Sequence, residues 1–336
     1  MSTHLPLRRL HTPVITDADR AAVERVLRDV ETGASVVRAL EAELCSLTGF
    51  TNAVACASGT AGLTAAWRAL DCQTVQVPAL TFAATWNAVY DGARFADVLP
   101  TDWTIDGDIN VAAAVAVELN AAPISADSFE ARIYDSACAL RGDMADGRPE
   151  ESLTVVSFNA SKTITGLGGG AVMTNDTGLA ERVRQIIDQG KLAGDATEPG
   201  LPLGFNGRIT YPSAALVLSQ LARFDEIAAH KRALMQAYYT GLHHADVTWQ
   251  QAALGVPWLA MPKFPRAAQA KAALAALNAC NVQARRMYQI PSHVRVQDFP
   301  VATELAATVL QLPMGLDLTV DDVREICAIV LEAVAQ

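Results

Sequence analysis

Lys162 stands in the stretch SFNASKTITGLGGGAVMTND, after an apolar run and before a glycine-rich turn at Gly166, Gly168, Gly169 and Gly170. An amine at a strand end beside pliable backbone is placed to attack a carbonyl, although an isolated loop lysine is ordinarily just solvated. Ser58, Gly59 and Thr60 fall where a short apolar run turns into a helical pattern, and N–H groups and hydroxyls at a helix start can hold a phosphate. The competing reading of Ser58 is a plain N-cap. Ser157, five residues before Lys162, offers the same phosphate another hydroxyl, or else bonds within its own sheet. Asp135 closes the apolar run RIYD, where a carboxylate needs a cationic neighbour if buried, and is otherwise a loop acid. Phe82, in VPALTFAATWNAV, offers an aromatic face or simple core packing. A phosphate cup, a Schiff-base amine and a carboxylate that keeps a pyridine nitrogen protonated are the three groups pyridoxal 5'-phosphate demands of a protein.

Strands and helices must bring these groups together. Thr16 with Asp19 predicts a capped helix whose apolar face is Val23, Val26, Leu27 and Val30. Val37, Leu40, Leu44 and Leu47 predict a second. Short apolar runs at 53–56, 74–77, 132–134, 153–158 and 171–174 alternate with helical patterns at 61–70 and 179–187, which favours an α/β sheet covered by helices on both faces. One long helix is expected over about 213–242, an apolar run at 256–261, an Ala-rich helix at 267–279 and a last helix after Thr319. The expected division is 1–224 for a large cofactor-binding domain with an N-terminal helical segment and 225–336 for a small C-terminal α/β domain.

Length and composition bound the function. The 336 residues are 51% hydrophobic and 18% charged, which excludes disorder. Their 26 basic against 36 acidic residues, net −10, argue against nonspecific nucleic-acid binding. The six cysteines form no C-x-x-C pair and are expected to be buried free thiols. The histidines show no metal spacing, so no metal is expected. Neither a signal-peptide core nor a membrane-length apolar run is present in the sequence, and a cytoplasmic location is the expectation.

The stretches ASGTAGL, VPALTFAATWNAV, YDSACALRGD, SFNASKTITGLGGGAVMTND, GFNGRITYPSAAL and FPVATELAATVLQLPMGLDLT resemble the DegT/DnrJ/EryC1/StrS family, across nearly the whole chain. That family comprises fold-type I pyridoxal-phosphate enzymes, best known as nucleotide-sugar aminotransferases. The resemblance implies a mixed, mostly parallel sheet sandwiched by helices plus a small α/β domain. It implies Lys162 as the internal aldimine lysine, Asp135 as the pyridinium partner, Phe82 as the stacking residue, and Gly59, Thr60 and Ser157 as phosphate contacts. Asn206 matches the asparagine that reaches the neighbouring subunit's phosphate, so a homodimer with shared active sites is implied.

The sequence also departs from the pattern. Cys138 stands three residues after Asp135, where the family usually has Gln or His near the cofactor's phenolic oxygen, and a thiol is a weak donor. Asn206-Gly207-Arg208-Ile209-Thr210-Tyr211 replaces an Asn-x-Arg-Met followed by an acid, and Gln189-Gly190 replaces His-Gly. The segment between Asp97 and Arg132 is short and lacks the usual strand leading to a His. Arg285, Arg286, Tyr288 and His293 form either an anionic-substrate clamp or a solvated strand edge. The leading expectation is amino transfer from an amino acid such as glutamate to a nucleotide-linked keto-sugar. Its rivals are decarboxylation or dehydration of an amino acid or aminoacyl-modified nucleobase, and a non-enzymatic regulatory role on the same fold.

Overall fold

The computed structural model describes residues 7–98, 103, 114–118, 132–191, 200, 204–250 and 255–335. Most of the short segment between Asp97 and Arg132 lies outside these residues. The strands are β1 (Asn52–Cys56), β2 (Val75–Pro78), β3 (Ala93–Ala96), β4 (Val115–Val117), β5 (Ile133–Asp135), β6 (Leu153–Ser157), β7 (Gly170–Thr174), β8 (Arg285–Arg286) and β9 (Leu310–Gln311). The helices are α1 (Asp17–Arg28), α2 (Gly33–Thr48), α3 (Gly59–Leu70), α4 (Ala83–Asn87), α5 (Thr177–Ile187), α6 (Tyr211–Leu221), α7 (Phe224–Gly241), α8 (Ala267–Ala279), α9 (Pro300–Thr308) and α10 (Val320–Val334).

The central sheet has the order β1-β7-β6-β5-β4. β4, β5 and β6 run parallel, and β7 runs antiparallel to both β6 and β1. β2 and β3 pair in parallel, and a bridge from Gln76 to Ala114 aligns them with the β4 edge. Alternate residues of each strand feed separate cores. Val54, Val155 and Val172 join Leu63 and Val183 on one face, whereas Ala55, Val156 and Met173 join Leu40, Leu44 and Val217 on the other. α3 and α5 thus cover one face and α2 and α6 the other, giving the helix-covered α/β sheet that the alternation predicts, mixed and mostly parallel as the resemblance implies. β4 lies in the segment between Asp97 and Arg132, where the usual Lys-Ala-Ile-like strand leading to a His is missing from the sequence. Its three residues, Val115, Ala116 and Val117, are too few for a clear period.

α1 starts as expected: the Thr16 hydroxyl accepts the Asp19 N–H at 3.2 Å and the Asp19 carboxylate accepts the Thr16 N–H at 2.9 Å. Its buried face is Asp19, Ala22 and Val26, while Leu27 and Val30 are each 63% exposed. Asp19 turns the helix this way because its carboxylate also accepts from Ser219 at 2.7 Å and Arg223 at 3.2 Å, beside α6. Arg223 also ends the expected long helix. Its backbone leaves the helical region at φ −116°, ψ 19°, splitting the 213–242 pattern into α6 and α7.

α10 packs against α7 and α8, with β8 and β9 paired antiparallel nearby. The chain's start belongs with these elements: Arg8 bridges to Val282 and its guanidinium binds Asp322 and Glu325 at 2.6 Å. The first turn of α9 is capped from elsewhere, since the Asp97 carboxylate accepts the Val301 and Ala302 N–H groups at 3.0 and 2.8 Å. Of the six cysteines Cys56 and Cys327 are buried, whereas Cys45, Cys72, Cys138 and Cys280 are only partly so, which corrects the expectation that they are buried. All six are free thiols. No described helix is long and apolar enough to cross a membrane.

Candidate active site

The C-terminal ends of β1, β4, β5 and β6 open on one cavity of about 270 Å³, the place where open α/β sheets bind ligands. Ser58, Gly59, Thr60, Phe82, Asp135, Cys138, Ser157 and Lys162 all line it. Ser58 leaves β1 with extended backbone and its hydroxyl accepts the Ala61 N–H at 3.0 Å, so it is the N-cap of α3. The Gly59 and Thr60 N–H groups lie in the first turn, where a helix offers donors without helical acceptors. Gly59 is needed here: a Cβ on it would sit 2.9 Å from the Ser157 Cβ, so the backbone floor of the cavity would have to shift. The helix end, Thr60 and Ser157 make a cradle suited to a phosphate.

Asp135 is buried at the end of β5. Thr85 in α4 donates its hydroxyl to one carboxylate oxygen at 2.7 Å, and the Ala137 N–H reaches the other at 3.2 Å. Burial pushes its carboxyl up despite these bonds and the nearby Lys162. A cation delivered to this carboxylate, such as a protonated ring nitrogen, offsets that cost. Lys162 donates to the Cys138 thiol at 3.0 Å. Burial pushes the Cys138 thiol up against the pull of the ammonium, so at neutral pH it is a thiol and a weak acceptor. Phe82 is 57% exposed and touches Tyr288 at 5.6 Å between centroids, leaving a bare aromatic face on the cavity.

The structure separates the remaining expected residues. Arg285 and Tyr288 reach the cavity; Arg286 and His293 are not in its lining. Arg285 and Arg286 are successive residues of β8, so their side chains leave opposite faces. The Arg285 guanidinium is held by the Gln311 side chain of β9. His293 instead meets Trp86, Tyr90 and Phe95 edge-on, at 5.8, 5.7 and 5.5 Å. Asn206 is exposed and lies in a different groove, with Arg38, Asp188, Arg208 and Tyr211.

Two groups in the cavity wall were not among the sequence candidates. Glu118 follows β4, where the family resemblance leads to a His, and it is buried. Burial opposes its charge, yet Arg148 at 2.6 Å and Arg141 at 3.1 Å hold its carboxyl below the usual range, with the Ser136 hydroxyl also donating to it. Arg148 in turn lies 3.5 Å over the Tyr134 ring. Trp258, inside the apolar run at 256–261, forms the wall beside Lys162. An apolar run containing one tryptophan reads as core, and a lone acid beyond a three-residue strand has no local signal. The loop arginines after Asp135, Arg141 and Arg148, were the available hint of a buried anion.

The donor set fits pyridoxal phosphate: a phosphate cradle, a bare aromatic face, a buried carboxylate short of a cation and a lysine share one cavity of suitable chemistry. Comparisons with known proteins agree. Residues 13–123 and 131–331 match the DegT/DnrJ/EryC1/StrS aminotransferase family. The UDP-2-acetamido-2-deoxy-3-oxo-D-glucuronate aminotransferase of Pseudomonas aeruginosa is 27% identical over 94% of this chain and 95% of its own. Protein Rv3402c of Mycobacterium tuberculosis is 28% identical over 60% of this chain, an alignment that spans only 52% of that protein's length. The crystal structure of DesI, determined in the presence of its TDP-sugar product, superposes with a TM-score of 0.84 at 26% identity, covering 99% of this chain and 94% of that one. The chain belongs to the DegT/DnrJ/EryC1/StrS aminotransferase family.

Proposed function

We propose that this protein is a pyridoxal-phosphate-dependent aminotransferase that moves nitrogen from an amino acid, glutamate being the leading donor, to the keto group of a nucleotide-linked sugar. The observation that carries the reading is the convergence of Lys162, Asp135 and the α3 cradle on one cavity. The sugar and its nucleotide are supported by the P. aeruginosa enzyme, named for a UDP-linked keto-sugar, and by DesI with its TDP-sugar product.

When bound, pyridoxal phosphate supplies an electron sink for the pair left on a deprotonated carbon. The protein's own residues do the rest. The first turn of α3, with Thr60 and Ser157, would hold the phosphate. Phe82 would offer its exposed ring to the cofactor's aromatic system. Asp135, held by Thr85 and the Ala137 N–H, would accept a hydrogen bond from a protonated ring nitrogen and hold it in that charged form. Lys162 carries a proton on Nζ between the donor carbon and its acceptor site, as base and then acid. Arg285, which also lines the cavity, pairs with the carboxylate of the amino donor.

The assembly that this reading calls for is a homodimer in which Asn206 of one copy completes the phosphate site of the other. Its exposure outside its own chain's cavity is in keeping with that role. Rapid mixing of the loaded protein with glutamate tests the reaction type. Conversion of the cofactor to its amine form with release of 2-oxoglutarate is expected. Carbon dioxide release without that conversion would replace transamination by decarboxylation.

A further inference from the structure

The surface against which Lys162 lies comes from the other end of the chain. Trp258 is 3% exposed, and the Lys162 Nζ sits 4.3 Å from the centroid of its ring. The indole N–H donates at 2.7 Å to the carbonyl of Ser161, the residue just before the lysine. Two further contacts fix the tryptophan. His11 stacks on its ring, with centroids 5.0 Å apart and planes 17° from parallel. Lys231 donates to its backbone carbonyl at 3.3 Å. His11 is uncharged in this stack, because burial and then the charges of Lys231, Arg285 and Lys162 pull it down to about 3. The indole therefore contacts the Lys162 ammonium and an uncharged His11 ring.

An ammonium over an indole face is attracted by the ring quadrupole, more strongly where water is excluded. Nζ also donates to the Cys138 thiol, a weak acceptor. Resting on the reading of Lys162 as the reacting amine, we propose that Trp258 is a positioning residue whose ring face is the rest for the Lys162 amine whenever that amine is free. A lysine stem has many rotamers and proton transfer uses few of them, so a fixed rest at the cavity wall shortens the search.

The test uses the full-length chain stripped of carbonyl compounds with hydroxylamine. A brief pulse of N-hydroxysuccinimidyl acetate is followed by peptide mass spectrometry, with exposed Lys271 as the internal reference. In Trp258→Leu, acetylation of Lys162 relative to Lys271 is expected to rise about fivefold, since the amine loses the face that holds it in place against the cavity wall. Trp258→Phe, which keeps a ring face and loses the N–H, is expected to stay within about twofold of the parent. No rise in Trp258→Leu, or an equal rise in both variants, overturns the proposal. If Trp258→Leu does not fold, fluorine NMR of the 5-fluorotryptophan protein decides. Lys162→Met should move the residue-258 resonance, assigned by its loss in Trp258→Phe, and an unmoved resonance overturns the proposal. Neither measurement involves cofactor or turnover, so a failure here is separate from a failure of Lys162 to bind pyridoxal phosphate.

Discussion

Glu118 keeps its charge with its side chain wholly removed from water, bound by Arg148, Arg141 and the Ser136 hydroxyl. Two of these donors, Ser136 and Arg141, belong to the turn that carries Cys138 to Lys162, so the carboxylate anchors the floor of the cavity. Glu118→Gln leaves Arg148 and Arg141 buried without a counter-charge, and a loss of about 3 kcal/mol is expected; a urea unfolding midpoint unchanged from the parent would contradict this. The sign with pH follows from the depressed carboxyl. Its stabilisation is complete above the usual glutamate range and declines as pH falls through that range and below. Lys162 and Asp135 were legible in the sequence because each sits at the end of an apolar run next to turn residues. Glu118 and Trp258 were not, because the first acquires its role from arginines 23 and 30 residues away and the second from a lysine 96 residues earlier in the chain.

At the scale of elements, the strand-to-helix step β1–α3 was plain from ASGTAGL, and the structure adds why it tolerates so little bulk. Gly59 passes so close to Ser157 that Gly59→Ala pushes the first turn of α3 off its position. Affinity for pyridoxal phosphate, followed by absorbance titration, is expected to fall at least about tenfold, the loss of one charge-assisted hydrogen bond. Affinity equal to the parent would remove α3 from the phosphate site. Strand alternation is also what divides the QARRMYQIPSH motif, sending Arg285 into the cavity and Arg286 away from it. A two-residue strand is too short to announce its register, so the motif alone offered four candidates where the fold supplies two. The α6–α7 break was hidden for a different reason: no Gly or Pro marks Ala222 and Arg223, and the interruption is tied to Arg223 reaching Asp19.

Across the whole molecule, residues 8–11 meet the C-terminal elements, Arg8 through Asp322 and Glu325 and His11 through Trp258. Lys231 of α7 is buried there, donating to the carbonyls of Trp258 and Met314. Burial, against a weak opposing pull from Asp317, brings it down to about 7. Between pH 7 and 10.5 the unfolded chain holds this proton and the folded chain does not, so the lysine makes stability rise with pH across that window and destabilises most below it. Thermal unfolding of Lys231→Met between pH 7 and 9 is expected to lose that part of the slope; a slope equal to the parent's would contradict the assignment. The sheet order and the paired cores follow from alternating apolar runs, whereas the joining of residues 8–11 to the C-terminal elements rests on contacts spanning some 250 to 315 residues, beyond any local pattern. All of this structure converges on one amine. The most direct measurement is borohydride reduction of the protein loaded with pyridoxal phosphate, followed by peptide mapping. The cofactor mass is predicted on Lys162 and lost in Lys162→Ala. Its appearance on another lysine, or its persistence in that variant, would contradict the account.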